Sequence, residues 1–332
     1  MRKITNTNEQ TLLKSCNEIY GLDAARASVL RDGSDNIIWT LEIKNGKKYV
    51  ARMSKRELGG DIAFEAEWLK VLLADGVPVV PIIETKDKKP FAILPTGKTL
   101  TIFEFVEGKH LPFGIDQPPP LSAVKSAAEA LAKLHNVSRR HDISLSRKRT
   151  VFTELERVIA KQKEVEEKVS SGKEFVAEVE KILSWGKNQK FTPVLIHNDY
   201  RTGNLLFDEN DKVAAILDFD WSCQGPAIKD VAHALVEWSF PDGAKQHWRE
   251  VFDTFLDSYN RHAEEIIKHD DNLKNWILFS CLSDTATYII DRLERGEIKP
   301  VAGAFMYQKF QYFKKTTTRG TSIMMFPRFF MN

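Results

Sequence analysis

One stretch of this 332-residue chain concentrates side chains able to handle a metal ion and a proton. Residues 194–220 open with Val194-Leu195-Ile196-His197-Asn198-Asp199-Tyr200-Arg201-Thr202-Gly203-Asn204-Leu205-Leu206-Phe207. A turn through Asp208-Glu209-Asn210-Asp211 follows, then Ala214-Ala215-Ile216-Leu217-Asp218-Phe219-Asp220. An apolar strand delivers His197 and Asp199 into a loop, and Asn204 closes that loop five positions after Asp199. The turn returns a second apolar strand, which ends on Asp218. Asp199, Asn204 and Asp218 thus place three oxygen-bearing side chains at the ends of paired strands. A divalent metal bound to phosphates needs that chemistry: magnesium is hard and takes one or two protein oxygens beside phosphate and water. The plainer reading of the same residues is an Asx-rich hairpin. H-x-D alone is common, so the joint pattern must decide between the two.

The elements that must hold these groups fall into two blocks. In the first, residues 8–20 fit a short helix with Leu12, Leu13, Cys16 and Ile19 on one side. Strand texture follows. Ser28–Arg31 runs into the turn-rich Asp32-Gly33-Ser34-Asp35-Asn36, Ile37–Ile43 is β-branched and aromatic, and Asn45-Gly46 is a hairpin signal before Lys48–Met53. Residues 61–75 switch to helical period with Ile62, Phe64, Trp68, Leu69, Leu72 and Leu73 as the apolar stripe, ended by Gly76 and Pro78. Pro81–Thr85 and Phe91–Leu94 read as a strand pair, and Thr99–Val106 as a last strand closed by Glu107-Gly108. Helices dominate the second block: residues 121–136, then 153–185 with Gly172 as an interruption, then 229–240, 244–267, 272–295 and 300–314. The expected class is α+β, with an antiparallel sheet of about five strands and one helix over residues 1–106 and a mostly helical lobe over 107–332.

Bulk properties exclude some classes. The chain is 42% hydrophobic and 28% charged with a net charge of +2, which gives no argument for a nucleic-acid or membrane partner. Cys16, Cys223 and Cys281 are odd in number, far apart and without a C-x-x-C pair. Neither a disulfide scaffold nor a structural zinc site is expected, and a reducing cytoplasm is the natural setting. No apolar signal-peptide core follows Met1-Arg2-Lys3, and no stretch approaches the roughly 18 apolar residues of a membrane span.

The H-x-D-x-x-x-x-N run followed by Asp218-Phe219 resembles the catalytic core of the aminoglycoside phosphotransferase, choline kinase and homoserine kinase superfamily. The resemblance covers about residues 28–240 and implies a bilobal protein-kinase-like fold. It further implies ATP and Mg2+ as cofactors and transfer of a γ-phosphoryl group to the hydroxyl of a small molecule. The family roles place Asp199 on the acceptor hydroxyl, Asn204 and Asp218 on magnesium, and His197 in a positioning part. The loop Asp32–Asn36, with Gly33 and Ser34, resembles the cover over the phosphates, although it has one glycine and reads equally as a plain hairpin turn. Arg52 stands where many relatives carry a phosphate-contacting lysine. Arginine binds phosphate through a planar fork, and the other reading is a strand-end charge. Glu65 matches the glutamate that pairs with that basic residue; Glu67 is the rival, about 200° round the helix wheel. Glu104 and Val106 match the hinge whose backbone binds adenine. The run Gly225-Pro226 to Asp230-Val231-Ala232 is frequent in the superfamily, and Asp230 is expected to cap or brace the following helix.

Eleven residues lie between Asp218 and Asp230, without the long activation segment or the A-P-E of a protein kinase, so a small acceptor is expected. Candidates for its pocket are Asp220, Trp221, Trp238, Asp284, Tyr288 and Asp291. The last three, at i, i+4 and i+7, share a helix face. An acidic face would suit a cationic amino alcohol or aminoglycoside; the alternative is a solvated face with Tyr288 and Trp238 in packing roles and Asp220 in water. A homoserine-like or sugar acceptor also stays open. The rival functions are a catalytically weak nucleotide-binding module and an atypical protein kinase. Residues 314–332 show no period and read as a tail, an interface segment or a pocket cover.

Overall fold

The computed structural model describes residues 6–33, 36–54, 59–111, 117–143, 145–243 and 246–316. The chain divides into two compact units. The first comprises Met1–Gly108, His141–Lys148 and Ala214–Asp220; the second comprises Lys109–Arg140, Arg149–Val213 and Trp221–Asn332.

The first unit is built on a six-stranded antiparallel sheet. Its strands are β1 (Ala24–Asp32), β2 (Asn36–Ile43), β3 (Lys48–Ser54), β4 (Ile82–Ile83), β5 (Ala92–Ile93) and β6 (Thr99–Glu104), ordered β1-β2-β3-β6-β4 with β5 also on β6. The Asn45-Gly46 hairpin forms as read: Gly46 takes φ +86° and its amide donates to Ile43 O at 2.9 Å, a conformation glycine reaches without strain. One expectation is corrected. β4 and β5 do not pair with each other; they add to successive stretches of the same edge of β6, Ile82 and Ile83 opposite Phe103 and Ile102, Ala92 and Ile93 opposite Leu100 and Thr99. A turn closed by Thr85 N–H to Lys89 O at 2.8 Å, with Pro90 after it, breaks what would otherwise be one strand.

The alternation of β3 sorts its side chains. Tyr49 and Ala51 join Trp39, Leu41, Leu100 and Ile102 in a buried core capped by Leu12 and Cys16 of helix α1 (Asn6–Ser15) and its π-helical continuation Cys16–Tyr20. Arg52 lies out of phase with them. Helix α2 (Gly59–Ala74) buries Ile62, Phe64, Trp68, Leu69 and Leu72, whereas Leu73, counted in the apolar stripe, is exposed. The segment Ala214–Asp220 docks here through Ile216 N–H, which donates to Pro78 O at 2.7 Å.

The second unit is helical. It contains α3 (Leu121–Arg140), α4 (Thr153–Ala160), α5 (Gln162–Lys168), α6 (Gly172–Lys187), α7 (Ala227–Ser239), α8 (Arg249–His262), α9 (Asp271–Glu294) and α10 (Phe305–Lys315). The long α9, capped by Asp270 Oδ1 on the amides of Asn272 and Leu273, packs against α4, α6, α7 and α10. The helical stretch 153–185 is interrupted as expected beside Gly172, which opens α6 after the break at residues 169–171. A Cβ there would stand 2.2 Å from Val165 O, so only glycine fits the return of the chain. Three short strands follow α6: β7 (Val194–Ile196), β8 (Leu205–Phe207) and β9 (Val213–Ile216). The strand that delivers His197 was expected to pair with the strand leading to Asp218. Its partner is instead β10 (Cys223–Gly225), antiparallel. Cys-Gln-Gly carries no β pattern, and Gly225 is admitted because a Cβ would lie 2.8 Å from Ile196 Cδ1.

Candidate active site

In the first unit the sheet, α2 and the segment Ala214–Asp220 bring three polar side chains, Asn36, Glu65 and Asp220, together with Arg52. This residue lies on β3 between β2 and β6, opposite Ile38 and Thr101, and its side chain is 8% exposed. Nη1 donates to Glu65 Oε1 at 3.0 Å and to Asp220 Oδ1 at 2.9 Å, and Nη2 pairs with Glu65 Oε2. Glu65 is buried on α2; Glu67 is exposed and takes no part. Asn36 Nδ2 donates to the other oxygen of Asp220, and the Arg52 guanidinium lies 5.0 Å from the Phe103 ring centre. Burial works against the guanidinium charge. Asp220, Glu65 and then Asp218 outweigh it and hold the Arg52 pKa above the ordinary arginine value.

Asp220 is therefore an ion-pair partner and not a solvated carboxylate. Its backbone is pinned as well: buried Arg147 donates to the carbonyls of Phe219 at 3.1 Å, Asp220 at 2.9 Å and Asp61 at 2.9 Å, and lies over the Phe64 ring. Asp218, half-buried, has φ +61°. Arg147 and Asn36 are the residues the sequence reading missed. Arg147 sits in a basic run, Arg147-Lys148-Arg149, that carries no motif. Gly33 closes the β1–β2 turn, its amide donating to Asn36 O at 3.0 Å; Ser34 lies outside the described residues. Glu104 ends β6, its amide donating to Pro81 O at 3.0 Å, and Val106 follows outside the strand, half-buried.

In the second unit β7 leads into the loop of Asp199. His197 is fully buried and edge-on to Tyr200. Asn204 Nδ2 donates to Asp199 Oδ2 at 2.8 Å and to Asp199 O at 2.9 Å. Arg201 Nε stands 3.2 Å from Asp199 Oδ1. Arg201 was also passed over, though its place two residues after Asp199 was the available signal. Burial pushes the Asp199 pKa above the ordinary carboxylate value; Arg201 and His233 pull it down, while Asp284 and Glu237 push it further up.

Asp230 was expected to brace α7. It sits inside that helix and braces the loop instead, accepting from His197 N at 2.6 Å and Asn198 N at 2.8 Å. It also meets His135 Nε2 at 3.2 Å, and His135 Nδ1 meets Tyr259 Oη at 2.8 Å. Burial opposes the Asp230 charge, but His135 and its neighbours bring the pKa down to about 2.

The helices of the second unit carry paired charges, of which His233, Asp284 and Glu237 act on Asp199. Asp284 on α9 accepts from His233 Nε2 on α7 at 3.0 Å. Lys309 on α10 bridges Glu237 at 2.6 Å and Asp242 at 2.8 Å. Asp291 pairs with Arg157 at 2.8 Å. The aromatic candidates are covered by arginine: Arg149 stacks 3.9 Å from the Trp221 ring centre and Arg292 3.7 Å from that of Tyr288. Trp238 is core, packed between Phe207 and Phe255. The helix face holding Asp284, Tyr288 and Asp291 is thus neutralised internally, which its sequence spacing could not reveal.

Comparison with known proteins gives the family and the fold. The family described as "Phosphotransferase enzyme family" (APH) matches residues 26–265. A homoserine kinase from Caulobacter vibrioides is 26% identical over 233 residues, 67% of this chain and 69% of its own. An amicoumacin kinase solved in complex with AMP-PNP, Ca2+ and Ami superposes with a TM-score of 0.70 at 15% identity, covering 95% of each chain. A spectinomycin phosphotransferase in complex with ADP and spectinomycin gives 0.62 at 18% identity, again covering 95% of each. The antiparallel sheet of the first unit and the helical second unit are the fold these structures share, and the chain belongs to the APH phosphotransferase enzyme family, as a small-molecule kinase.

Proposed function

We propose that this chain transfers the γ-phosphoryl group of ATP to a hydroxyl of a small molecule, with Asp199 accepting the hydroxyl proton. The observation that carries the reading is the way Asp199 is held. One oxygen is fixed by the Asn204 amide, the other faces Arg201, and burial raises its affinity for a proton. A general base must be positioned first and tuned second, and the contacts of Asn204 and Arg201 with the raised pKa support that role. Catalysis of this kind comes mainly from positioning and electrostatic stabilisation.

The remaining roles follow from chemistry. Residues 1–106 form the nucleotide-binding part and 107–332 the catalytic and acceptor part. Arg52, held by Glu65, and Gly33 are assigned to the phosphates, Ser34 is assigned there by its place in the sequence alone, and the backbone at Glu104 and Val106 to adenine. Asn204 and Asp218 would hold Mg2+. The chemistry of each residue suits that ion: Asn204 commits Nδ2 to Asp199 and keeps Oδ1, Asp218 brings a carboxylate, and both are the hard oxygens magnesium selects. The ion would neutralise charge on the phosphate oxygens. The solved relatives are complexes with AMP-PNP and with ADP, which supports a nucleotide donor. Trp221, Asp284 and Tyr288 are assigned to the acceptor or its immediate support, whereas Asp220, paired with Arg52, supports the nucleotide-binding part. A homoserine-like or other amino-alcohol acceptor is favoured by the named relatives, ahead of aminoglycosides and sugars. Three buried free cysteines fit a reducing cytoplasm, and no helix among the described residues is long and apolar enough to cross a membrane.

The engagement of Arg52 by two carboxylates favours one rival, a nucleotide-binding module with weak transfer. ADP release from magnesium-ATP against homoserine, choline, ethanolamine, methylthioribose, aminoglycosides, sugars and serine or threonine, with Asp199→Ala beside the wild type, separates the two. Acceptor-dependent release that vanishes in the variant supports the kinase. Tight magnesium-ATP binding with no acceptor response supports the rival.

A further inference from the structure

Asn198 lies between His197 and Asp199 with φ +66°, a left-handed backbone that residues with a side chain adopt at a cost. Three groups hold it there. Its amide donates to Asp230 Oδ1 at 2.8 Å, its Nδ2 donates to the Trp221 carbonyl at 3.1 Å, and its Oδ1 accepts from Lys229 Nζ. The backbone and both ends of the side chain are engaged, which is how sparsely populated conformations persist. The turn folds the next amide back, so that Asp199 N–H donates to His197 Nδ1 at 3.3 Å. The conformation at 198 therefore sets the direction in which the chain presents the Asp199 carboxylate.

Lys229 is the unexpected member. It lies on α7 with 1% exposure, and its ammonium donates to a neutral amide oxygen. Burying an ammonium is unfavourable unless hydrogen bonds and nearby charge offset it. Asp230 and Asp284 supply that charge, each being stabilised by Lys229. Packing alone would be met by methionine at no such cost. We propose that Lys229 is a positioning residue for phosphoryl transfer, clamping Asn198 in the left-handed conformation that aims Asp199. The proposal rests on the reading of Asp199 as the proton acceptor.

A double-mutant cycle on the full chain tests it. Lys229→Met keeps the length and removes the ammonium. Asn198→Gly makes the left-handed conformation accessible with no side chain to clamp. The readouts are ADP release from magnesium-ATP with water as acceptor, and the backbone angle at 198 in crystals of each variant. Lys229→Met is expected to lower the rate about 10- to 100-fold, the scale of a small misplacement of reacting groups, with the KM for ATP little changed and φ at 198 leaving the left-handed region. In the Asn198→Gly background the same change should lower the rate by less than about 2-fold, the limit of additivity error. Equal losses in both backgrounds, or a left-handed 198 in Lys229→Met, overturn the clamp. Should Lys229→Met not fold, Asn198→Ala must fall below Asn198→Gly in rate; equal rates overturn the clamp. Asp199→Ala runs alongside. Undiminished release in that variant defeats the reading of Asp199, while the crystal angle still decides the clamp.

Discussion

Around Arg52 in the first unit, Glu65 and Asp220 spend their oxygens on a buried guanidinium, and the two carboxylates outweigh burial so that the cation is held firmly charged. Around Asp199 in the second unit the ingredients are alike and the balance is reversed. The hydrogen-bond donor is the neutral amide of Asn204, and the nearest cation is Arg201, whose side chain is 43% exposed. Asp284 and Glu237 add negative charge, and burial raises the pKa of Asp199. A carboxylate with a buried, forked cation is scaffold. One whose cation faces water keeps its affinity for a proton, and displaced pKa values of this kind gather at functional sites.

The largest effect should come from removing the second cluster's centre. Asp199→Ala is expected to lower turnover on the order of 10²- to 10⁴-fold, the range for loss of a general base, while magnesium-ATP binding, measured by calorimetry, stays close to wild type. Turnover near wild type would place the reactive group elsewhere. The first cluster should respond in stability as well as in nucleotide binding. Arg52→Met strands Glu65 without its counter-charge, which costs on the order of 3–5 kcal/mol for a buried pair. Urea unfolding reads this, and adding Glu65→Gln should recover part of the loss. A cost below about 1 kcal/mol, the level of a surface pair, would mean the cluster is solvated and the contrast fails.

Much of this was legible beforehand because the pattern was local. β1, β2, β3 and β6 follow from β-branched runs and the Asn45-Gly46 turn, and Glu65 follows from the family resemblance, with the helix wheel setting Glu67 on another face. The site residues 197–204 and 218 form a contiguous motif. What escaped was set by tertiary partners. β10 exists because β7 needs a neighbour, and its Cys-Gln-Gly has no strand propensity. Arg147 acts on backbone carbonyls, which leave no mark on sequence. Lys229 and Lys309 are buried lysines, and lysine is read as solvated by default. The face of Asp284 and Asp291 was correctly placed on one helix; that His233 and Arg157 neutralise it could not be read from α9 alone.

The two carboxylates of the Asp199 loop sharpen the contrast through pH. Asp230 is lowered from 3.8 to about 2, with His135 and its neighbours overcoming burial. A lowered pKa stabilises the fold above the unfolded value, and that stability is lost as pH falls through the folded one. Between about pH 4 and 2 Asp230→Asn should therefore lose less stability than wild type, by on the order of 2 kcal/mol. Asp199 has the opposite sign. Its raised pKa favours the fold while the group is protonated, so its contribution declines as pH rises above 3.8. Asp199→Asn should remove that decline. Urea midpoints across pH read both, and slopes of the same sign in the two variants would break the comparison.

The smallest effect tests the half-exposed partner. Arg201 favours the charged form of Asp199, so Arg201→Gln leaves burial, Asp284 and Glu237 less opposed. The acid limb of kcat/KM should move to higher pH, by less than about one pH unit because an exposed pair is screened by water. Raising the salt concentration should move the wild type in the same direction and the variant little, since mobile ions weaken only the pair that remains. A limb that stays in place in the variant would remove Arg201 from the balance. The raised pKa of Asp199 would then come from burial and its acidic neighbours, with His233 as the cation opposing them.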